Sequence, residues 1–229
     1  GPGEALLLPT FSKLLGYSFT DYGTSLVDVR STGLRRYARI FQRVDESKQL
    51  DINVSCVTDR DIMPNCAPQI CIDDSYTGDA TTWPSRDKRA WRAEADFSFA
   101  ELIEHVKEIE AKANGQKVKT FVAEHWTLEY DLAYIGLQDK EMKEVLVDAL
   151  IKVSYVEKNR ANKKTEFVAQ LDAFTSIEEK ASFFYSFFTS KKASKADFAQ
   201  ELAVALEKKY INKAAELQKV LPKYLVSAI

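Results

Sequence analysis

Apolar positions along this chain follow two periods, which alternate at first and then give way to one. From Ala5 to Leu15 they fall at helical spacing (Leu7, Leu8, Phe11, Leu14, Leu15), and the run stops at Gly16, suited to a helix C-cap. Ser25 to Val29 is short and partly β-branched and predicts a strand. Gly33 to Val44 predicts an amphipathic helix with Leu34, Tyr37, Ile40 and Phe41 on one face. Ile52 to Val57 predicts a buried strand, followed at once by Thr58-Asp59-Arg60-Asp61. This helix–strand–helix–strand rhythm is that of a parallel α/β sheet.

From Met63 to Ala95 periodicity dissolves into Pro, Asp, Gly, Thr and Arg, which predicts a long excursion of the kind that usually serves function. A helix over Phe97 to Ala113 ends near Asn114-Gly115, and Val118 to Thr127 predicts another strand leading into Leu128-Glu129-Tyr130-Asp131-Leu132. After Ile135 the period is helical almost throughout: Lys140 to Tyr155, Lys164 to Ala173, Ser176 to Phe188, Ser194 to Tyr210 and Lys213 to Leu225. The chain is expected to divide into a core over 1–135, a helical subdomain over 136–190, and C-terminal helices over 191–229.

Charge changes this picture. The 229 residues hold 32 Lys+Arg and 34 Asp+Glu, a formal net charge of −2, which by itself speaks against a uniformly basic nucleic-acid binder. That average hides a net −7 over residues 1–150 and +5 over 151–229. Clustered acids can hold divalent cations, and basic helices can face phosphate. No apolar run approaches the length of a membrane span, and no signal-peptide pattern opens the chain, so a cytoplasmic protein is expected. The cysteines, Cys56, Cys66 and Cys71, show no C-x-x-C spacing, and His105 and His125 lie far from them. Neither a disulfide framework, nor a zinc site, nor a Cys–His nucleophile is expected, and Cys56 reads as a buried small hydrophobe.

Three acidic sites fall at element ends. Glu4 opens the first helix, Asp59 and Asp61 follow one predicted strand, and Glu129 follows another. In open α/β sheets, ligands gather beyond the carboxyl ends of the strands. Asp59 and Asp61, two apart in an extended segment, would point to one side and repel each other unless a hard cation such as Mg²⁺ lay between them. An Asp after a strand is also an ordinary turn former and helix cap, so spacing alone leaves both readings open.

The motifs themselves narrow the choice. Glu4-Ala5-Leu6-Leu7-Leu8-Pro9, Val57-Thr58-Asp59-Arg60-Asp61 and Thr127-Leu128-Glu129-Tyr130-Asp131-Leu132 resemble the Toprim (topoisomerase–primase) region of nucleases of the overcoming-lysogenization-defect, or OLD, family. Lys195-Ala196-Asp197-Phe198-Ala199-Gln200-Glu201-Leu202-Ala203 is similar to a K-x-x-F-A-x-x-L-A segment near the C-terminus of those proteins. The resemblance implies a Toprim-like parallel-sheet core with helices on both faces and a helical subdomain, and C-terminal helices over 191–229 that return to the core. It implies a DNA endonuclease in which Glu4, Asp59, Asp61 and Glu129 bind divalent metal, with Thr127 assisting. The metal would be two Mg²⁺ ions, or Mn²⁺ or Ca²⁺ in their place. Asp59 and Lys195 would act in catalysis, Lys195 by stabilising charge on the scissile phosphate.

Family members join this region to an ATPase, and no G-x-x-x-x-G-K-[ST] phosphate loop occurs here, so the chain is expected to be the nuclease region of a longer polypeptide. The family also has a strand ending in Glu-Gly before the first motif, whose Glu would add a metal ligand; the sequence at Gly1-Pro2-Gly3 does not include it. Topoisomerase, primase and recombination-mediator members of the wider Toprim class are disfavoured by the short length and scattered cysteines. A DNA- or protein-binding module without catalysis is the alternative from another class. The expected partners are DNA and the ATPase region, without membrane, and with an oligomer compatible. Two basic stretches are candidates for DNA contact: Arg35, Arg36, Arg39 and Arg43 near Tyr37, and Arg86, Lys88, Arg89 and Arg92 near Trp83 and Trp91. The aromatic run Phe183 to Phe188 is expected in the core.

Overall fold

The β-branched alternation around Cys56 and Thr120 builds a small parallel sheet in which β1 (Val54–Thr58) lies beside β2 (Val118–Val122), Cys56 opposite Thr120. A computed structural model of the chain describes residues 1–229, apart from the side chains of residues 30–32. In chain order the helices are α1 (Pro2–Leu15), α2 (Arg30–Ala38), α3 (Ala67–Cys71), α4 (Phe99–Ala111), α5 (Leu128–Gly136), α6 (Lys140–Ser154), α7 (Arg160–Ala173), α8 (Ile177–Thr189), α9 (Lys195–Tyr210), α10 (Ala214–Lys219) and α11 (Lys223–Ala228). The architecture is thus α/β, a small parallel core with helices around it and a long helical region, as the alternating periods predict.

Local chemistry sets the boundaries. Gly16 ends α1 in the left-handed conformation (φ 90°), where its N–H reaches back to the Lys13 carbonyl. Ser98 and Glu101 form a capping box on α4, and Ser176 and Glu179 form another on α8. Pro222 divides the predicted helix 213–225 into α10 and α11, because it has no N–H to continue the ladder.

One predicted strand is absent. Residues 24–29 carry no ladder hydrogen bonds, and Leu26 and Val27 are 41% and 68% exposed. β-Branched composition favours a strand only where a neighbouring strand receives it. The second predicted helix is also shorter: α2 stops at Ala38 and a 3₁₀ turn carries Arg39–Phe41. Its apolar face is narrower than predicted. Ala38 is buried, with Leu34 and Phe41 packed beside it against Cys56, Ala113 and Val118, whereas Tyr37 and Ile40 face solvent.

The main core joins distant segments. Leu7, Phe11 and Leu14 of α1 pack with Phe198, Leu202 and Leu206 of α9 in one buried cluster that also takes in Phe184 and Leu146. The aromatic run of α8 is core, as predicted, with Phe167 stacked against Phe183 at 5.1 Å between centroids. This packing brings the first and ninth helices to one end of the sheet, where the predicted acids gather.

Candidate metal and phosphate site

Asp59 follows the last residue of β1, and its Oδ1 accepts a hydrogen bond from the Leu128 N–H at 3.2 Å. This bond ties the end of β1 to the start of α5. Glu129 sits in the first turn of α5, where the helix dipole favours a carboxylate. Gly3 of α1 lies against it: a side-chain carbon at Gly3 would come within 3.2 Å of Glu129 Oε1. A residue with a side chain would therefore crowd Glu129. Glu4, one residue on, has a largely covered side chain, with its Oε2 2.8 Å from the Gly1 nitrogen.

Lys195 enters from the opposite side, as the first residue of α9. Its Nζ donates to Glu129 Oε2 at 2.8 Å and to the Tyr185 hydroxyl at 3.2 Å. A cation at a helix N-terminus opposes the dipole, so tertiary partners rather than helix propensity explain this lysine. Burial works against its charge, but the Glu129 carboxylate and the Tyr185 hydroxyl together outweigh it and hold Lys195 above the ordinary lysine range.

The electrostatics identify which charges act on one another. Burial first, then the neighbouring Glu4 and Glu129 carboxylates, push Asp59 up to about 7; Lys195 acts against them and Asp61 adds a smaller push. All five predicted charged residues therefore bear on one point. Asp61 does so differently from the expectation. Its φ of 59° takes the backbone out of the extended path, and its side chain is exposed while Asp59 is mostly covered. The two acids thus share a neighbourhood without sharing one face of a strand.

The second strand is shorter than predicted, ending at Val122. Residues 123–127 wrap around the carboxylate of Asp131, which accepts the N–H groups of Glu124 (2.7 Å), His125 (3.2 Å) and Trp126 (3.1 Å). Asp131 is fully buried, and burial pushes it up to about 7 even though those three donors favour its ionised form. Thr127 is the N-cap of α5: its hydroxyl accepts from Tyr130 N–H at 3.4 Å and lies 3.4 Å from Glu129 Oε2. A buried cap at Thr127 places the hydroxyl beside Glu129 and occupies it there.

Three residues of this neighbourhood carry no clear signal in the sequence. Tyr185 pairs with Lys195, and its only sequence signal is a hydroxyl inside an otherwise aromatic run. Asp131 belongs to the third motif, but its bonding to the loop is invisible in spacing. Tyr224 of α11 is buried, and burial, then the charges of Asp131, Asp59, Glu4 and Glu129, raise it well above the usual phenol range.

The donor chemistry suits a hard divalent ion: the oxygens are carboxylates, and burial, with the charges of Glu4 and Glu129 added, disfavours the ionised form of Asp59 in the absence of a cation. Among the described residues, no three His, Cys, Asp or Glu side chains are already assembled to hold an ion. Glu129 is engaged by Lys195, so ligation would require these side chains to turn toward the metal.

The second basic stretch is partly withdrawn from solvent. Arg89 is buried in an ion pair with Asp96 and stacks on Trp91, its guanidinium carbon 4.2 Å from the ring centroid. It is therefore not free to meet a phosphate. Cys56 is buried as expected, and among the described residues no helix is long and apolar enough to cross a membrane.

Residues 1–61, which include Glu4, Asp59 and Asp61, match the family described as overcoming lysogenization defect protein-like, TOPRIM domain. No curated protein and no solved structure matches the chain. The sequence match covers the first two acidic motifs, and the structure brings Glu129 and Lys195 to them from outside it. Residues 1–61 are accordingly similar to a TOPRIM domain of overcoming-lysogenization-defect-like proteins.

Proposed function

We propose that this chain is the divalent-metal-dependent DNA endonuclease region of a longer ATPase–Toprim protein acting in the cytoplasm, alone or as an oligomer. The observation that carries the reading is the convergence of Glu4, Asp59, Asp61 and Glu129 beside Lys195. Residues from four separate segments would not meet around a shielded carboxylate for turn formation alone. Glu4, Asp59, Asp61 and Glu129 would hold Mg²⁺, with Thr127 keeping Glu129 oriented. Bound metal supplies an activated water and charge neutralisation at the leaving oxygen. Asp59, at the centre of the acids, takes the position where ligation removes most repulsion. Lys195, released from Glu129 as that carboxylate turns, offers its ammonium to a phosphate oxygen.

Incubation of supercoiled plasmid with the chain and Mg²⁺, Mn²⁺ or Ca²⁺ tests this. Nicked and linear products are expected with the wild type and are abolished by Asp59→Asn. Equal survival of plasmid with both proteins at every metal concentration ends the nuclease reading.

A second reading has its own support. Lys195 already neutralises Glu129, so a Toprim scaffold that binds DNA or protein without cutting could use the lysine as its resident cation. Retained duplex binding with no cleavage in any metal would favour it.

A further inference from the structure

We propose that the outward arginines of α2 and the turn that follows it, Arg35, Arg36, Arg39 and Arg43, form a track for the phosphate backbone of duplex DNA. This rests on the nucleic-acid reading of the Toprim region but not on catalysis.

The sequence concentrates one residue type here. Of the ten arginines in the chain, five lie within residues 30–43, whereas residues 151–229 hold a single arginine among their 14 basic residues. Arginine presents a planar fork of donors that matches phosphate, which lysine does not. The spacing is unfavourable for an isolated helix. Arg35 and Arg39 are four apart, Arg36 and Arg39 are three apart, and like charges at those spacings repel. All four side chains are exposed, and among the described residues none is ion-paired to a carboxylate. An anion of matching charge spacing relieves this repulsion.

The inner face fixes the track. Leu34, Ala38 and Phe41 pack against the sheet, which leaves Arg35, Arg36 and Arg39 exposed with Tyr37 and Ile40 between them, while the exposed Arg43 guanidinium donates to the Ile40 and Gln42 carbonyls at 3.0 and 3.3 Å. At its far end the segment is clamped: Gln42 donates to the Ala113 carbonyl at 2.7 Å, and Gln116 bonds the backbone of Arg43 on both sides, at 3.0 and 2.6 Å. At its near end Asp28 lies 3.9 Å from the Gly1 nitrogen, which Glu4 also approaches. The row therefore lies on the outer side of a helix and turn that pack against the sheet.

The structure thereby separates the two basic stretches. The 86–92 loop has its central arginine buried against Asp96 and two tryptophans, while the α2 row remains open.

Fluorescence anisotropy of a short labelled duplex, with EDTA present so that cutting cannot interfere, tests the track. The triple variant Arg35→Gln, Arg36→Gln, Arg39→Gln is compared with wild type over a salt series. Weaker binding is expected, with the slope of log K against log salt reduced by about 0.9 for each phosphate that the variant no longer neutralises. A control with Lys158→Glu and Lys219→Glu, both exposed on other elements, should bind like wild type. Circular dichroism melts that coincide with wild type guard against misfolding, and the substitutions touch no buried group. The proposal is overturned if wild type does not bind duplex, if the triple variant keeps wild-type affinity and slope, or if the control weakens binding as much. It is also overturned if these arginines instead govern binding to phosphatidylserine vesicles while duplex affinity stays unchanged. Absence of plasmid cleavage would count against the nuclease reading and leave this result standing.

Discussion

The ammonium of Lys195 lies 2.8 Å from Oε2 of Glu129, across 66 residues of sequence, and joins the N-termini of α9 and α5. The Glu129 side chain is only 6% exposed. Lys195→Met would leave that carboxylate with the Thr127 hydroxyl and no cation. We expect a loss of about 2 kcal/mol, on the low side for a covered pair because the lysine is partly solvated. Urea unfolding checks it, and adding Glu129→Gln should recover much of the loss. A double variant whose loss equals the sum of the two single losses would show that the residues are not coupled.

Asp59→Asn removes one of the crowded negative charges while keeping its hydrogen-bonding oxygen for Leu128. In EDTA at pH 8 the variant should melt above wild type. Adding Mg²⁺ should raise the wild-type melting temperature and move the variant little. Identical metal-induced shifts in the two proteins would place the ion elsewhere.

The Arg89–Asp96 pair supports the 63–96 excursion. Burial opposes the Asp96 charge, but Arg89 and the Ala93 N–H outweigh it and hold its carboxyl below the usual range. A lowered carboxyl contributes stability above the unfolded-state value near 4 and loses it as pH falls through the folded value. Asp96→Asn, which leaves Arg89 buried and uncompensated, should cost about 3 kcal/mol at pH 7. As pH falls through the folded value of Asp96 the two proteins should converge in denaturant midpoint. A pH-independent difference would assign the loss to packing.

Asp131 holds the loop before α5 by three N–H groups, and an amide oxygen at that position accepts fewer of them. Asp131→Asn should cost on the order of 2 kcal/mol. Hydrogen exchange at Glu124, His125 and Trp126 should accelerate, with α7 unaffected. Unchanged protection at those three amides would mean that the loop is held by something else.

Gly136 packs where a β-carbon would fall 2.5 Å from Leu146 and 2.6 Å from Met142. Gly136→Ala should therefore destabilise by about 1–3 kcal/mol through overpacking, measured by thermal melts.

Much of this arrangement is legible in the chain. Helical periods after residue 135, the cap at Gly16, and the strands around Cys56 and Thr120 follow from local chemistry that each segment carries with it. The four motifs likewise name Glu4, Asp59, Asp61, Glu129 and Lys195, whose charges act on one another in the fold. Ser25–Val29 misleads for a physical reason: a strand is a relation between two segments, and composition reports only one.

Tertiary structure decided the rest. Sequence alone ranks Arg89 with Arg36 as basic residues in basic stretches. Only packing turns the first inward against Asp96, Trp83 and Trp91 and leaves the second in solvent. It also assigns Asp131 to loop bonding, makes Thr127 a cap, and bends the backbone at Asp61. The charge state of Asp59 belongs to the same class, because burial and Coulomb interaction depend on distance through space, and the acids that surround it come from different ends of the chain.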